Sequence, residues 1–108
     1  MRWTASLPIG LVLAATTTTA ASAQPVDPAQ GLELSRQLCR NCHLVSAEQR
    51  GPVPDAVPSF MAIAARPGMD AARVEAALIS PPHPLMPNPP LTRRQMRDVA
   101  AYIVSLKP

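Results

Sequence analysis

The two cysteines of the chain stand three residues apart, in the sequence Cys39-Arg40-Asn41-Cys42-His43. A disulfide between residues this close encloses almost no loop, so the cysteines cannot supply a stabilising disulfide framework. The chain has 108 residues, which allows one domain and excludes a two-domain enzyme with separate cofactor and substrate halves. Only 3% of the residues are aromatic. So small a chain therefore needs something besides its own side chains to fill its centre.

The N-terminal segment has the three-part pattern of a secretory signal peptide. Arg2 supplies a positive charge, residues 7–15 form a mostly apolar stretch, and residues 21–23 read Ala-Ser-Ala, the small-residue pattern that precedes cleavage. The alternative is an uncleaved membrane anchor, which needs about 20 apolar residues, roughly twice the length of this stretch. We therefore predict a signal peptide at residues 1–23 and a mature domain at residues 24–108. If the cell is bacterial, the mature domain is periplasmic and has no stable membrane insertion.

Two capping signals mark the first and the last helix. Asp27 can cap a helix that has Pro28 in its first position and Gln30 as the partner in a capping box. Thr92 and Gln95 form a second box. The apolar positions that follow each box have helical spacing. They predict two buried faces, Gly31, Leu34, Ser35 and Leu38 in the first helix and Met96, Val99, Ile103 and Leu106 in the last.

Prolines divide the middle of the chain. Residues 59–65 allow at most two helical turns, and residues 69–80 have an apolar stripe that stops where Pro81 follows. Six of the ten residues from 81 to 90 are proline, which predicts a stiff extended loop. No segment has the alternating pattern of a strand. The sequence therefore predicts a small all-α fold.

The C-x-x-C-H motif is the attachment sequence for c-type haem. Two thiols three residues apart on a helical turn can each add to one vinyl group of the porphyrin, and His43 then presents an imidazole nitrogen to the iron. Three alternatives compete: a thioredoxin-like dithiol, a zinc site with His83 as the fourth ligand, and a buried structural pair of cysteines. The first needs strands that the sequence lacks. The motif favours covalent haem c, attached through Cys39 and Cys42, as the cofactor.

Beyond the motif, the mature chain resembles the small monohaem class I cytochromes c. Gly31 stands eight residues before Cys39, at the place of the glycine in that family's first helix. Ala101-Tyr102-Ile103 resembles its last helix, in which an aromatic residue packs on that glycine. The resemblance implies three to four helices around one covalently bound haem. Ser35 departs from the pattern, because the family often has an aromatic residue there, and we expect a thinner contact between the first and last helices. That contact would rest on Leu34, Leu38, Val99 and Ile103.

Met86 is the predicted second axial ligand of the iron. Of the four methionines after residue 23, Met61 and Met96 have helical spacing that predicts core positions, and Met69 stands undecided at a helix start. Met86 lies in the proline-rich loop, in a stretch that resembles the axial-methionine loop of the family, and Met/His ligation is typical of electron-carrying cytochromes. Ligation by two histidines, with His83 in place of Met86, is the alternative.

The second ring nitrogen of His43 needs a hydrogen-bond acceptor, because a ligating histidine normally donates its other N–H. In the family that the chain resembles, the carbonyl of a loop proline serves. Pro52 and Pro54 are the two candidates for that role. The alternative is that both prolines only form turns and that neither accepts this hydrogen bond.

These features predict a periplasmic carrier of single electrons rather than an enzyme. Nine basic and seven acidic residues give the mature chain a net charge of +2, and no basic block interleaved with aromatic residues indicates nucleic-acid binding. Redox donors and acceptors are expected to dock transiently at the haem edge, near Arg93, Arg94 and Arg97, unless these arginines are only a solvated helix face. The alternative functions are a haem subunit of an exported dehydrogenase and a ligand-binding haem protein with an open iron.

Overall fold

A computed structural model describes residues 1–21, 24–79 and 91–108 of the chain. Those residues contain four helices and no strand: α1 is Pro28–Leu38, α2 is Phe60–Ala64, α3 is Ala71–Ile79 and α4 is Arg93–Ser105. The predicted all-α architecture is confirmed. Within this part of the chain, no helix has the length and hydrophobicity that a membrane crossing requires.

The first helix begins as predicted, but one of the two hydrogen bonds of the predicted capping box is replaced. The Asp27 carboxylate accepts a hydrogen bond from the Gln30 backbone N–H at 3.1 Å, and Pro28 occupies the first turn. The expected return bond from Gln30 is replaced, because the Asp27 N–H donates to Oδ1 of Asp98 at 2.8 Å. Asp98 belongs to α4 and is only 1% exposed. The start of α1 is therefore bonded to α4 as well as to its own first turn.

The crossing of α1 and α4 is tight at Gly31. A Cβ atom at this position would overlap the Asp98 carbonyl and lie 2.9 Å from the Tyr102 Cβ. Ser35, on the next turn, is fully buried and donates from Oγ to the Gly31 carbonyl at 2.7 Å. Ser35 therefore places a small hydroxyl where the family often has an aromatic ring, and the backbones of the two helices meet closely at Gly31.

The predicted faces of the two helices are confirmed except at one position. Leu34, Val99 and Ile103 are buried, Met96 and Leu106 are half-buried against the core, and Leu38 is 41% exposed. The prediction that Leu38 supports the helix contact is wrong, because this side chain, at the last residue of α1, is exposed.

The two middle helices complete a single core against α4. Ser59 caps α2 by accepting from the Ala62 N–H at 3.0 Å, and Asp70 accepts from the Arg73 N–H at 2.9 Å at the start of α3. The capping box at Thr92 and Gln95 is confirmed. The buried apolar residues form one cluster: Leu34, Cys39, Val45, Phe60, Ala64, Val74, Leu91, Val99, Ala100, Tyr102 and Ile103.

Candidate functional site

The C-x-x-C-H motif forms a tight turn at the C-terminal end of α1. Cys39 caps the helix, and its N–H donates to the Ser35 carbonyl at 2.9 Å. The Cys39 carbonyl then accepts two backbone hydrogen bonds, from Cys42 at 3.1 Å and from His43 at 2.9 Å. One carbonyl thus holds both thiol-bearing residues and the histidine in one turn.

The two thiols of this turn differ in environment. Cys39 is 8% exposed, Cys42 is exposed, and neither forms a disulfide. Burial, with a smaller contribution from Cys42, raises the pKa of the Cys39 thiol to about 11. At neutral pH the Cys39 thiol is therefore protonated. The thioredoxin-like alternative needs strands, and the described residues contain none.

His43 is held by the carbonyl of a proline, but not one of the two predicted. Its Nδ1 lies 2.6 Å from the carbonyl oxygen of Pro58. The prediction of Pro52 or Pro54 is wrong, because the Phe60 N–H donates to the Leu44 carbonyl at 2.9 Å. That hydrogen bond holds the chain after Pro58 next to Leu44, the residue that follows His43.

The hydrogen bond to Pro58 also decides what the imidazole can do. A carbonyl can only accept, so Nδ1 carries the proton and Nε2 carries the lone pair that a metal requires. The His43 side chain is nearly buried, and its ring packs on that of Phe60, with 5.3 Å between the centroids. These two contacts orient the ring. The two thiols of one turn and this oriented imidazole together fit a covalently attached haem.

Tyr102 links the segment after the motif to α4. Its phenol donates to the Val45 carbonyl at 2.6 Å, and both residues are buried. Burial raises the pKa of the Tyr102 phenol above its ordinary value, and Glu48 adds to this effect while Arg36 opposes it. The neutral phenol is therefore the form that the fold stabilises.

Of the methionines and the second histidine considered as ligands, three methionines fall within the described part of the chain. Met61 and Met96 are half-buried against the core cluster, as predicted, and Met69 packs there as well. Met86 and His83 lie outside the described residues, as does Ala23 at the predicted cleavage site. Among the described residues, no three His, Cys, Asp or Glu side chains are grouped so that they could hold a metal ion.

Comparison with known proteins reveals one close similarity. The chain is 40% identical over 100 residues to cytochrome c-552 of Bradyrhizobium diazoefficiens, and the match covers 93% of each protein. No family model matches the chain, and no solved structure does. The similarity spans both the C-x-x-C-H turn and the helices that carry it.

Replacing Tyr102 by phenylalanine is expected to lower the free energy of unfolding by about 1 kcal/mol at neutral pH, because the Val45 carbonyl loses its donor. The raised pKa of the Tyr102 phenol also makes the free energy of unfolding depend on pH. The folded state keeps the phenolic proton where the unfolded state releases it, so stability falls as pH rises above ~10 and is unaffected below. Urea unfolding of both proteins between pH 7 and 11 checks this. Equal slopes in the two proteins above pH ~10 would contradict the assignment to Tyr102.

Proposed function

This chain belongs to the small c-type cytochromes, and on that premise we propose that it is a periplasmic carrier of single electrons whose haem iron is bound by His43 and Met86. Membership of the family makes it an electron-transfer protein with covalently bound haem c. The observation that best supports the role of His43 is the 2.6 Å contact of its Nδ1 with the Pro58 carbonyl. That contact leaves Nε2 as the nitrogen for the iron.

The bound haem supplies one-electron exchange between the ferrous and ferric states of its iron. Cys39 and Cys42 tether it, and the turn that joins them keeps His43 in a fixed position. Met86 would contribute a soft, neutral thioether, which favours the reduced state. If His43 and Met86 both hold the iron, the site would be closed to substrates. The chain therefore transfers electrons without acting as an acid, a base or a nucleophile.

Met86 is supported as the second ligand by the positions of the other methionines. Met61, Met69 and Met96 all pack against the core cluster, which is the ordinary use of a methionine. Met86 stands among prolines, which lower the conformational entropy that the loop loses when it presents one side chain. For Met86, unlike the other three methionines after residue 23, ligation of the iron is therefore a better explanation than core packing.

Changing Met86 to alanine is expected to abolish the long-wavelength charge-transfer band between methionine sulfur and ferric iron. The reduction potential should fall, and the reduced protein should bind carbon monoxide at neutral pH, because an axial position opens. The controls Met61→Leu, Met69→Leu and Met96→Leu should keep the band. If the band survives in Met86→Ala, another methionine is the ligand. If the unmodified protein lacks the band, and His83→Ala but not Met86→Ala opens the reduced iron to carbon monoxide, the ligand is His83. Either result makes the assignment of Met86 wrong.

Export is supported by the apolar residues of the N-terminal segment. Residues 1–21 form no helix, and the side chains of Ile9, Val12 and Leu13 are each more than 80% exposed. The core of the domain therefore forms without them. This is what a segment that is removed after translocation requires.

Protein recovered from the periplasm should begin at Gln24, which intact-mass spectrometry measures directly. Ala23→Phe places a bulky side chain next to the cleavage site and should leave the precursor uncut, because signal peptidase needs a small residue there. Ser22→Phe is the matched control, since the middle position of the A-x-A pattern is variable. Normal processing of Ala23→Phe would place the cleavage site elsewhere.

Docking at the haem edge is proposed to depend on arginines, and the described residues contain two groups of them. Arg93 and Arg97 are exposed on α4, where the neighbouring Arg94 has its Nε 3.9 Å from Asp98. Arg36, Arg40 and Arg50 line an open cleft of about 230 Å³ beside the motif turn. Either group would attract an acidic partner.

Electron exchange with the anionic iron–EDTA complex can separate the two groups. The double variant Arg93→Gln/Arg97→Gln should slow the exchange roughly severalfold at low ionic strength and flatten its salt dependence. Arg36→Gln/Arg40→Gln is the comparison and should change the rate less. A larger effect of this second pair would move the docking surface to the motif turn, and no effect of either pair would remove electrostatic steering from the proposal.

A further inference from the structure

We propose that Gln49 is a positioning residue that holds the backbone of the haem-attachment turn, and with it the axial ligand His43, through its side-chain amide. Oε1 accepts from the Val45 N–H at 3.0 Å. Nε2 donates to the carbonyls of Arg40 and His43, both at 3.1 Å. The inference rests on the proposed function, because it concerns the residue that we assign as an iron ligand.

The chemistry of the three partners requires an amide. Val45 is 1% exposed, so its N–H needs an acceptor, and the two carbonyls need donors. A glutamine amide has one oxygen and two N–H groups, and here each of them has a partner. A carboxylate in its place could accept from Val45 but would repel both carbonyls. A shorter asparagine side chain would not span the same distance.

Local folding brings the side chain back toward the motif. The Gln49 N–H donates to the Ser46 carbonyl at 3.2 Å, which closes a turn directly after the attachment sequence. Gln49 is half-buried at this point, on the wall of the cleft beside Arg40. The amide therefore joins Arg40, which lies between the two cysteines, to His43 and Val45, which follow them.

His43 is thus held from two directions. The Pro58 carbonyl fixes its ring through Nδ1, and the Gln49 amide fixes its backbone carbonyl. Val45 extends the arrangement, because its carbonyl accepts from the Tyr102 phenol of α4. Gln49 connects the turn to the core through Val45, and its hydrogen bonds reach backbone groups. Its effect on the iron is therefore indirect, through the orientation of His43.

The test compares Gln49→Leu and Gln49→Glu with the control Gln37→Leu in the haem-loaded protein. Gln37 is an exposed glutamine of α1 whose Nε2 donates to the Glu33 carboxylate at 3.0 Å rather than to the backbone of the attachment turn. Three readouts are needed: hydrogen exchange of the Val45 amide, the paramagnetic NMR shifts of the His43 ring and haem methyl groups in the ferric protein, and the reduction potential. Haem attachment is verified first by the pyridine haemochrome spectrum.

In Gln49→Leu we expect exchange of the Val45 amide to be about tenfold faster, because it loses its acceptor. The ring and methyl shifts and the potential should change in both Gln49 variants and stay unchanged in Gln37→Leu. Faster exchange with unchanged ring shifts and potential would make Gln49 merely structural and overturn the proposal. Unchanged exchange would overturn it as well, since the hydrogen bond to Val45 would then be absent.

A measurement on the unmodified protein covers the case in which the variants fail to fold or to load haem. The two Nε2 protons of Gln49 should exchange at least tenfold more slowly than those of Gln37, because both are bonded to backbone carbonyls. Equal exchange for the two glutamines would overturn the proposal. An absent haemochrome spectrum in the unmodified protein, with Gln49 protected, would instead refute the proposed function.

Discussion

The close approach of α1 and α4 at Gly31 is the contact on which the rest of the structure depends. Because residue 31 has no side chain, the backbone of α1 can reach the Asp98 carbonyl and the Cβ of Tyr102. The same crossing buries the Asp98 carboxylate, which holds the N–H of Asp27 at the start of α1. With its start and its middle fixed on α4, α1 delivers Cys39 and the following turn to a defined place.

That turn suits a cofactor whose charge changes while its ligands stay still. His43 is hydrogen-bonded through its ring to Pro58 and is packed against Phe60, which in turn lies near Tyr102 of α4. As the proposed ligand, a buried His43 held in this way would move little when an electron arrives or leaves. Electron transfer would then require little rearrangement of the protein.

Several local features of the fold were predictable from the sequence because their chemistry lies within a few residues. The capping box of Thr92 and Gln95 joins residues three apart, and the start of α1 at Pro28 needs only the neighbouring Asp27. The short α2 follows from Ser59 and the nearby Pro67. The buried faces of α1 and α4 follow from helical spacing, apart from Leu38 at the end of α1.

The sequence alone determined the all-α class, because helical spacing and capping signals depend only on neighbouring residues. It also predicted the attachment of haem through Cys39 and Cys42 with His43 beside them, because the spacing of the motif carries that chemistry. Tertiary structure decided which distant groups complete the site. Three prolines in one loop have the same carbonyl chemistry, and only the pairing of Phe60 with Leu44 brings Pro58 to His43. Likewise Asp98, 71 residues away, takes the place of Gln30 at Asp27. Such bonds depend on how the chain folds back on itself, which local spacing does not encode.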